Sequence, residues 1–340
     1  MSKTVQERAE GQLANKDFAL MCIPLVIMAV FYYGPRALGM VLVALITAYI
    51  TGRFAAMLMG KKYDKLENSS TITALLIVLM MPVTVKFLIV IVAVMVGILI
   101  GKEAFGGAKS YPFLPAAVGF CIAVVAWPQE VFSYPEPQNW IVNANWSWDY
   151  FVKLWTYSGI TASETPAYVL QHGGIPQTDI WNILLGNVPG AMGVGAAAVI
   201  MACGVFLLVR KNVSFAASFS FLGTSALIAF LLPRAPDGAW MVLPWLNWQT
   251  RLQVLQYEML SGAMMFAAVF LVNDPYILPK TVRSRIIYGV LLGIASMMFR
   301  YFGTFEMGIC FAFLLVNAIS GYFDRLFAKR APKVKGETKA

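Results

Sequence analysis

A polar stretch in the middle of the chain, residues 158–174, holds the side chains best placed for chemistry. It is rich in hydroxyl groups and small residues, and loops of this kind carry function more often than the scaffold beneath them. Thr165 precedes Pro166, which drives its backbone toward an extended conformation and predicts a hydroxyl that stands away from the main chain. The same pair also predicts a plainer role, because threonine followed by proline is an ordinary start of a short helix.

The chain around this stretch has the composition of an integral membrane protein. Of its 340 residues 59% are hydrophobic and 13% are charged, and the mean hydropathy is +0.69. Soluble proteins carry about 25% charged residues. The apolar run from Phe18 has no small-residue cleavage site, so it does not match a secretory signal. The four cysteines lie far apart inside apolar runs, which argues against iron–sulfur ligation and disulfides.

Ten apolar runs approach the length of a membrane crossing, which takes about twenty helical residues. The sequence therefore predicts an all-α membrane protein with ten spans. Pro24 and Pro82 predict tilted or broken helices. Residues 236–252, rich in tryptophan and proline, predict an interfacial or re-entrant segment. The ten predicted spans are residues 18–33, 36–52, 70–84, 86–101, 112–128, 190–209, 214–232, 256–273, 285–299 and 305–323.

The basic residues divide unevenly between the two sides of this arrangement. With the N-terminus in the cytoplasm, twenty of the 26 lysines and arginines lie on the cytoplasmic side, which favours both termini inside. The net charge of +9 then needs no nucleic acid as a partner. We divide the chain into an N-terminal tail (1–17), a first membrane half (18–128), an outward loop (129–189), a second membrane half (190–325) and a basic tail (326–340).

Five spans on each side of the loop permit an inverted repeat. Secondary transporters and channels use the same architecture, with a solute pathway at the repeat interface. The parity of the spans therefore leaves a transporter or channel open as an alternative function.

An ordered series of motifs resembles the RnfD/NqrB family, the membrane subunits of the Rnf and Na⁺-translocating NADH:quinone oxidoreductase complexes. The resemblance covers roughly residues 17–325, and the short N-terminus resembles RnfD more than NqrB. The first half carries Ser69-Ser-Thr-Ile-Thr, Met81-Pro82, Gly101-Lys-Glu-Ala-Phe-Gly-Gly107 and Pro112-Phe-Leu-Pro-Ala116; the second half carries Gly186-Asn-Val-Pro-Gly-Ala-Met-Gly193, Asn273-Asp-Pro275, Arg300-Tyr-Phe-Gly303, Glu306 and Leu314-Leu-Val-Asn317.

The resemblance implies a flavin. In the family, a threonine on an outward loop carries FMN through a phosphoester on its hydroxyl. Thr165 has the following proline and a fitting distance of 21 residues to Gly186. Thr161 has the better prefix, beginning at Ser158. We prefer Thr165 and keep Thr161 as the alternative. Flavin bound without a covalent link, including riboflavin, stays open.

Several positions depart from the family pattern. Glu164 would place a carboxylate beside the phosphoester, where like charges repel by about 1 kcal/mol or more. The family's Phe-Asn-Pro-Ala is Phe113-Leu-Pro-Ala116 here, and its Gly-Glu is Gly193-Val194. These changes remove an amide and a carboxylate that could hold a second flavin or a cation.

Five glycines are candidates for flavin contact, since they let the backbone approach a ring or a phosphate. A helix starting near Gly190 would also present N–H groups to an anion. Close packing of membrane helices is the competing interpretation. The candidates are Gly106, Gly107, Gly186, Gly190 and Gly193.

Polar residues inside or beside apolar runs are candidates for a Na⁺ or H⁺ path. Caps and hydrogen bonds between helices are the alternative for each of them. The candidates are Glu258, Asn273, Asp274, Glu306 and Asn317.

The sequence thus predicts a subunit of an Rnf-type electron transport complex in the bacterial cytoplasmic membrane. The resemblance implies partners, namely an outward FMN-carrying subunit and iron–sulfur membrane subunits working between ferredoxin and NAD, with lipid around the helices. By itself the chain is not expected to be an enzyme. A redox-inactive assembly subunit is a further alternative.

Overall fold

The computed structural model describes residues 3–60, 68–107, 111–138, 140, 148–157, 162–233, 247–305 and 307–327. Within these residues the chain is all α, as predicted, and its extended pairing is limited to one isolated antiparallel bridge between Pro135 and Ala162.

The described helices follow the apolar runs, with short polar helices between the two halves. A 3₁₀ turn, Glu103–Phe105, follows α4, and a π-helical turn, Ala267–Leu271, continues α13. The helices are α1 (Lys3–Tyr33), α2 (Pro35–Leu58), α3 (Ser69–Leu79), α4 (Phe87–Leu99), α5 (Pro115–Ala126), α6 (Pro128–Val131), α7 (Trp148–Thr156), α8 (Pro166–Gln171), α9 (Ile180–Leu185), α10 (Ala197–Val209), α11 (Phe215–Leu231), α12 (Trp248–Leu260), α13 (Met264–Phe266), α14 (Val282–Phe302) and α15 (Ile309–Phe327).

Four helical stretches in the described residues are long and apolar enough to cross a membrane. They are Ala14–Tyr33, Pro35–Leu58, Phe87–Phe105 and Val282–Phe302, and the bent pair α12 and α13 gives a fifth if it counts as one span. Helices α3, α5, α10, α11 and α15 are apolar over shorter lengths, 10–17 residues. A multi-pass membrane fold is confirmed, while ten spans and an inverted repeat stay predictions.

The predicted break near Pro82 is confirmed. Helix α3 ends at Leu79 and α4 begins at Phe87, so the carbonyl groups between them lack helical partners. Arg36 at the start of α2 donates hydrogen bonds to two of these carbonyls. Its Nε donates to the Val83 carbonyl at 2.8 Å, and its Nη2 donates to the Val85 carbonyl at 3.1 Å. Helix α1, by contrast, runs through Pro24 without interruption.

The span predicted at residues 256–273 is not one straight helix. Helix α12 begins earlier, at Trp248, and the chain bends by 57° between α12 and α13. At the bend, Gly262 adopts a left-handed conformation, with φ +63°. Residues from Trp248 onward, which the sequence placed in an interfacial or re-entrant segment (236–252), belong to α12. Residues 236–246 lie outside the described residues.

The π-helical turn after α13 leaves a carbonyl without its usual helical partner, since its backbone bonds join residues five apart. Val272 N–H donates to the Ala267 carbonyl at 2.9 Å. The next carbonyl, that of Ala268, accepts from Ser218 Oγ at 2.7 Å and from Asn273 Nδ2 at 2.8 Å. These side chains stabilise an irregular backbone inside an apolar helix bundle.

Helix α1 connects the two faces of the molecule. In the first half of the helix, Asn15 Nδ2 donates to Tyr276 Oη at 3.3 Å, and at its end Tyr33 Oη donates to the Gly190 carbonyl at 3.1 Å. We call the first the Asp274 face and the second the Thr165 face. One apolar cluster, which includes Leu79, Met80 and Phe266, fills the space between them.

Candidate functional site

Thr165 caps helix α8. Its backbone is extended, with φ −81° and ψ 155°, as the following proline predicts. Its hydroxyl accepts the Tyr168 N–H at 3.0 Å and is buried, with 4% of the residue exposed. The helix-start interpretation is therefore confirmed. The expectation that the hydroxyl stands away from the backbone is wrong, because the first turn of α8 binds it as an N-cap.

A recess lies directly against Thr165, between α8, the turn before α10 and the bend after α12. The recess has a volume of about 380 Å³ when its open mouth is included. Its enclosed part is narrow and leaves about 30 Å³ for the centre of a water molecule. A small group such as a phosphate suits the narrow part, whereas a three-ring flavin has to lie at the mouth. Its lining residues are Tyr134, Thr165, Pro166, Ile183, Val188, Pro189, Gly190, Ala191, Val194, Gly195, Leu260, Ser261, Gly262 and Met307.

The glycine-rich turn forms one wall of this recess and packs on the break after α3. Met192 N–H donates to the Met81 carbonyl at 3.1 Å, and Gly193 N–H donates to the Leu79 carbonyl at 2.8 Å. The helix predicted to start near Gly190 is wrong: α10 begins at Ala197, because the backbone before it is committed to these contacts.

The glycines of this turn have different roles. A Cβ on Gly193 would lie 2.6 Å from Leu79 Cβ, and one on Gly186 would lie 2.9 Å from Ala196 Cα. Gly186 also has φ +91°. For these two positions close packing, the alternative to flavin contact, accounts for the glycine. A Cβ on Gly190, in contrast, would have nothing within 4 Å.

Tyr134 and Met307 also line the recess, and the segment just before Thr165 binds Tyr134. Ser163 N–H donates to the Tyr134 carbonyl at 2.8 Å, and Tyr134 Oη contacts Met307 Sδ at 3.3 Å. Glu164 is exposed to solvent while Thr165 is buried, so the two side chains point in different directions. Solvent therefore screens the repulsion that the sequence predicted between Glu164 and an ester at Thr165.

A buried ion pair supports the floor of the recess. Arg300 Nε pairs with Glu258 Oε2, and the side chains are 8% and 2% exposed. Arg300 also donates from Nη2 to Ser261 Oγ at 2.9 Å and from Nη1 to the Ser261 carbonyl at 3.3 Å. The guanidinium thereby satisfies a carbonyl at the bend between α12 and α13.

The Asp274 face carries a second polar cluster. Asp274 accepts from Tyr111 Oη at 3.1 Å and from the backbone N–H of Tyr276 at 2.9 Å. Burial raises the pKa of this carboxyl to about 6, although those hydrogen bonds lower it. Asn317 accepts from Tyr288 Oη at 2.7 Å. Asn273 Oδ1 accepts the Ser214 N–H at 2.8 Å, so Asn273 supports the backbone as well as lying on this face.

The recess beside Asp274 is about as large as the one beside Thr165. It contains about 390 Å³ of empty space out to its mouth, and its enclosed part leaves about 20 Å³ for the centre of a water molecule. Leu114, which stands where the family pattern has asparagine, lines it together with Ser69 and Tyr111. The amide of the family pattern is therefore missing at position 114, and the enclosed part has no room for a three-ring flavin. Riboflavin stays a prediction from the resemblance alone.

The structure thus divides the predicted site residues between two faces. Thr165, Gly186, Gly190, Gly193 and Glu258 lie at or near the Thr165 face. Gly106 and Gly107 follow the 3₁₀ turn after α4, and the neighbouring Lys102 Nζ contacts Ser70 Oγ at 2.9 Å at the start of α3. These two glycines are therefore far from Thr165. Ser158, Thr161 and Glu306 lie outside the described residues.

Comparison with known proteins gives a consistent result along almost the whole chain. The model of the NQR2, RnfD, RnfE family matches residues 4–333. This protein belongs to that family. Similar relatives include a subunit of the ion-translocating oxidoreductase complex from Escherichia coli O6:K15:H31 (strain 536 / UPEC), 28% identical, and its counterpart from Escherichia coli (strain K12), 27% identical. Each alignment covers 94% of this chain and 93% of the relative.

Family membership confirms the resemblance that the ordered motifs predicted. Together with the apolar helices it makes the chain a multi-pass membrane protein. The sequence analysis did not predict the structural roles of Arg36 and Arg300. Both are among the six basic residues that it placed on the outer side of the membrane. A signal was present, since an arginine at the edge of an apolar span is costly unless it binds something.

Proposed function

We propose that this member of the family is the membrane subunit of an Rnf-type electron transport complex and carries FMN esterified to Thr165. The observation that supports this most is the position of the Thr165 hydroxyl, buried at the wall of a recess that opens to one face. None of the described residues that line the recess carries a charge, so no carboxylate among these lining residues opposes a phosphate. Val194 stands where the family pattern has glutamate.

The ester needs a donor that carries an activated phosphate. With FAD as donor, the Thr165 oxygen replaces AMP on the phosphorus, and AMP takes the hydroxyl proton. When bound, the flavin accepts and passes single electrons. Thr165 would anchor the phosphate, and the glycine turn would shape the wall beside it.

Coupling to Na⁺ or H⁺ movement is part of the proposal. The protonatable group best placed for it is Asp274, a partly buried carboxyl that lines a recess on the opposite face. Helix α3, which separates the two recesses, has 11 residues and is therefore about 16 Å long. We place the Thr165 face outside and both termini in the cytoplasm of a bacterium, as the charge distribution favours.

The partners follow from the same proposal. They are an outward FMN-carrying subunit, which would exchange electrons at the Thr165 face, and iron–sulfur membrane subunits, which would connect the chain to ferredoxin or NAD. The described residues contain no cluster of three metal-ligating side chains. Iron–sulfur groups are therefore assigned to the partners.

A transporter or channel is the weaker alternative. A solute pathway would have to join the two narrow recesses, and the described residues between them are apolar and tightly packed. A redox-inactive assembly subunit is a second alternative. It would carry no flavin and would give a dark wild-type band in the experiment below.

The test is in-gel flavin fluorescence of the chain, purified from a host with its own flavin transferase and separated in SDS. We expect a fluorescent wild-type band, a dark Thr165→Ala band and a fluorescent Thr161→Ala band. Thr165→Ser is the matched control, because serine keeps both the hydroxyl and the helix cap. A fluorescent Thr165→Ala band, or a dark wild type, contradicts the proposal.

A further inference from the structure

Arg300 is a charge in an unusual place. It lies near the end of α14, one of the stretches able to cross a membrane, and only 7% of the residue is exposed. A buried charge in such a helix is costly and is retained where it has a specific partner. Glu258 neutralises it, and the bonds to Ser261 hold the bend. These contacts use three of the five N–H donors of the guanidinium.

The guanidinium lies directly behind the recess that contains Thr165. A Cβ built on Gly262 would lie 3.2 Å from Arg300 Nη1 and 3.5 Å from Ala167 Cβ. Gly262 is therefore flanked by the charge on one side and by the first turn of α8 on the other. Ser261, Gly262 and Thr165 all line the recess. Only a residue without a side chain lets the charge approach α8 this closely.

A phosphoester at Thr165 would need a positive partner. The diester carries a negative charge, and an anion withdrawn from water is stable only when it is paired. None of the described residues that line the recess is a lysine or an arginine. The planar fork of arginine suits phosphate oxygens. Lys153 lies on α7 and is exposed to solvent.

We propose that Arg300 is the counter-ion of the phosphoester at Thr165, held in place behind Gly262 by its bonds to Ser261. This inference rests on the proposed function. Arg300 is then a positioning residue for the flavin phosphate, and Glu258 is its buried ion-pair partner. Neither residue belongs to an ion path in this account, which is a different role from the one predicted for Glu258.

The test compares covalent flavin per folded chain in four variants, taking only the monodisperse peak after size exclusion. We expect Arg300→Gln to lower the flavin content roughly tenfold or more, the scale for losing a charged hydrogen-bond partner. Arg300→Lys should retain part of it. Glu258→Gln should retain all of it, because the positive charge remains. Arg251→Gln is the matched control, since Arg251 is buried, donates to the Phe230 carbonyl at 2.7 Å and is not among the lining residues.

A purely structural ion pair gives a different pattern. Glu258→Gln and Arg300→Gln would then lose flavin together, and that result would overturn the inference. If Arg300→Gln alone does not fold, the double variant Glu258→Gln/Arg300→Gln removes both charges and is expected to be dark; full flavin content in it overturns the inference. If the Thr165→Ala variant keeps the flavin content of the wild type, the proposed function is wrong. If flavin attachment requires Thr165 but is unchanged in Arg300→Gln, only this inference is wrong.

Discussion

At the scale of single residues, Thr165 has two compatible roles. Its hydroxyl caps α8 through Tyr168 N–H and lines the recess at the same time. The sequence predicted the extended backbone and the helix start, since both depend on the neighbouring proline alone. It allowed both a capping hydroxyl and one that stands away from the main chain, and it could not predict the recess beside the hydroxyl, because Gly262 lines that recess from nearly a hundred residues away.

Gly193 and Gly190 offer a sharp comparison within one turn. Gly193→Ala would place a methyl group 2.6 Å from Leu79 Cβ. Overpacking of this kind costs about 1–3 kcal/mol, so we expect a lower thermal midpoint in detergent. Gly190→Ala meets nothing within 4 Å and serves as the control. Equal midpoints for the two variants would show that the turn does not pack on α3 in this way.

Asp274 makes stability depend on pH with a definite sign. Its pKa in the folded chain is about 6, raised by burial from an ordinary value near 3.8. As pH rises from about 4 to about 6, the Asp274 carboxyl ionises in the unfolded chain but stays largely protonated in the folded chain. The free energy of unfolding therefore falls over this window, by about 3 kcal/mol at most. Above about pH 6 the penalty is constant.

The variant Asp274→Asn should lack this component. We expect the difference in thermal midpoint between the variant and the wild type to increase from pH 4 to pH 6 and then to level off. A difference that is constant across pH 4 to 7 would contradict a raised pKa for the Asp274 carboxyl in the folded chain.

At the scale of helices, interruptions define the site. The break after α3 and the bend after α12 both expose carbonyl groups, and an arginine from elsewhere binds each of them. Pro82 made the first interruption predictable. The bend after α12 was not predicted, because Ser261-Gly262-Ala263 is also typical of a small-residue contact between membrane helices. The carbonyl at this bend is bound by Arg300, nearly forty residues later in the chain.

Arg36 tests the importance of the first interruption. Arg36→Gln removes the bonds to the Val83 and Val85 carbonyls and to the Trp155 carbonyl at 2.7 Å. Because buried carbonyls lose charged donors, we expect a loss of roughly 1–3 kcal/mol and faster hydrogen exchange in residues 80–86. Lys153→Gln, at an exposed position on α7, is the control. Unchanged exchange in Arg36→Gln would exclude this role.

At the scale of the whole molecule, most of the basic residues on the predicted outer side have partners within the fold. Six basic residues fell on the predicted outer side, but Arg36, Arg251 and Arg300 bind carbonyls or a carboxylate, and Lys86 lies 3.5 Å from Glu130. Most of the exceptions to the positive-inside pattern therefore have structural partners. The family and the all-α class were predictable from motifs and composition. The separation of the candidate residues onto two faces was not, because it depends on contacts between distant helices.

In the proposed function Thr165, and not Thr161, carries the flavin. Mass spectrometry of the purified chain after cleavage at glutamate distinguishes the two residues, because a cut after Glu164 separates Thr161 from Thr165. We predict one FMN on the peptide that begins at Thr165. An FMN on the peptide that ends at Glu164, or an unmodified chain from cells that attach flavin to other proteins, would contradict the account.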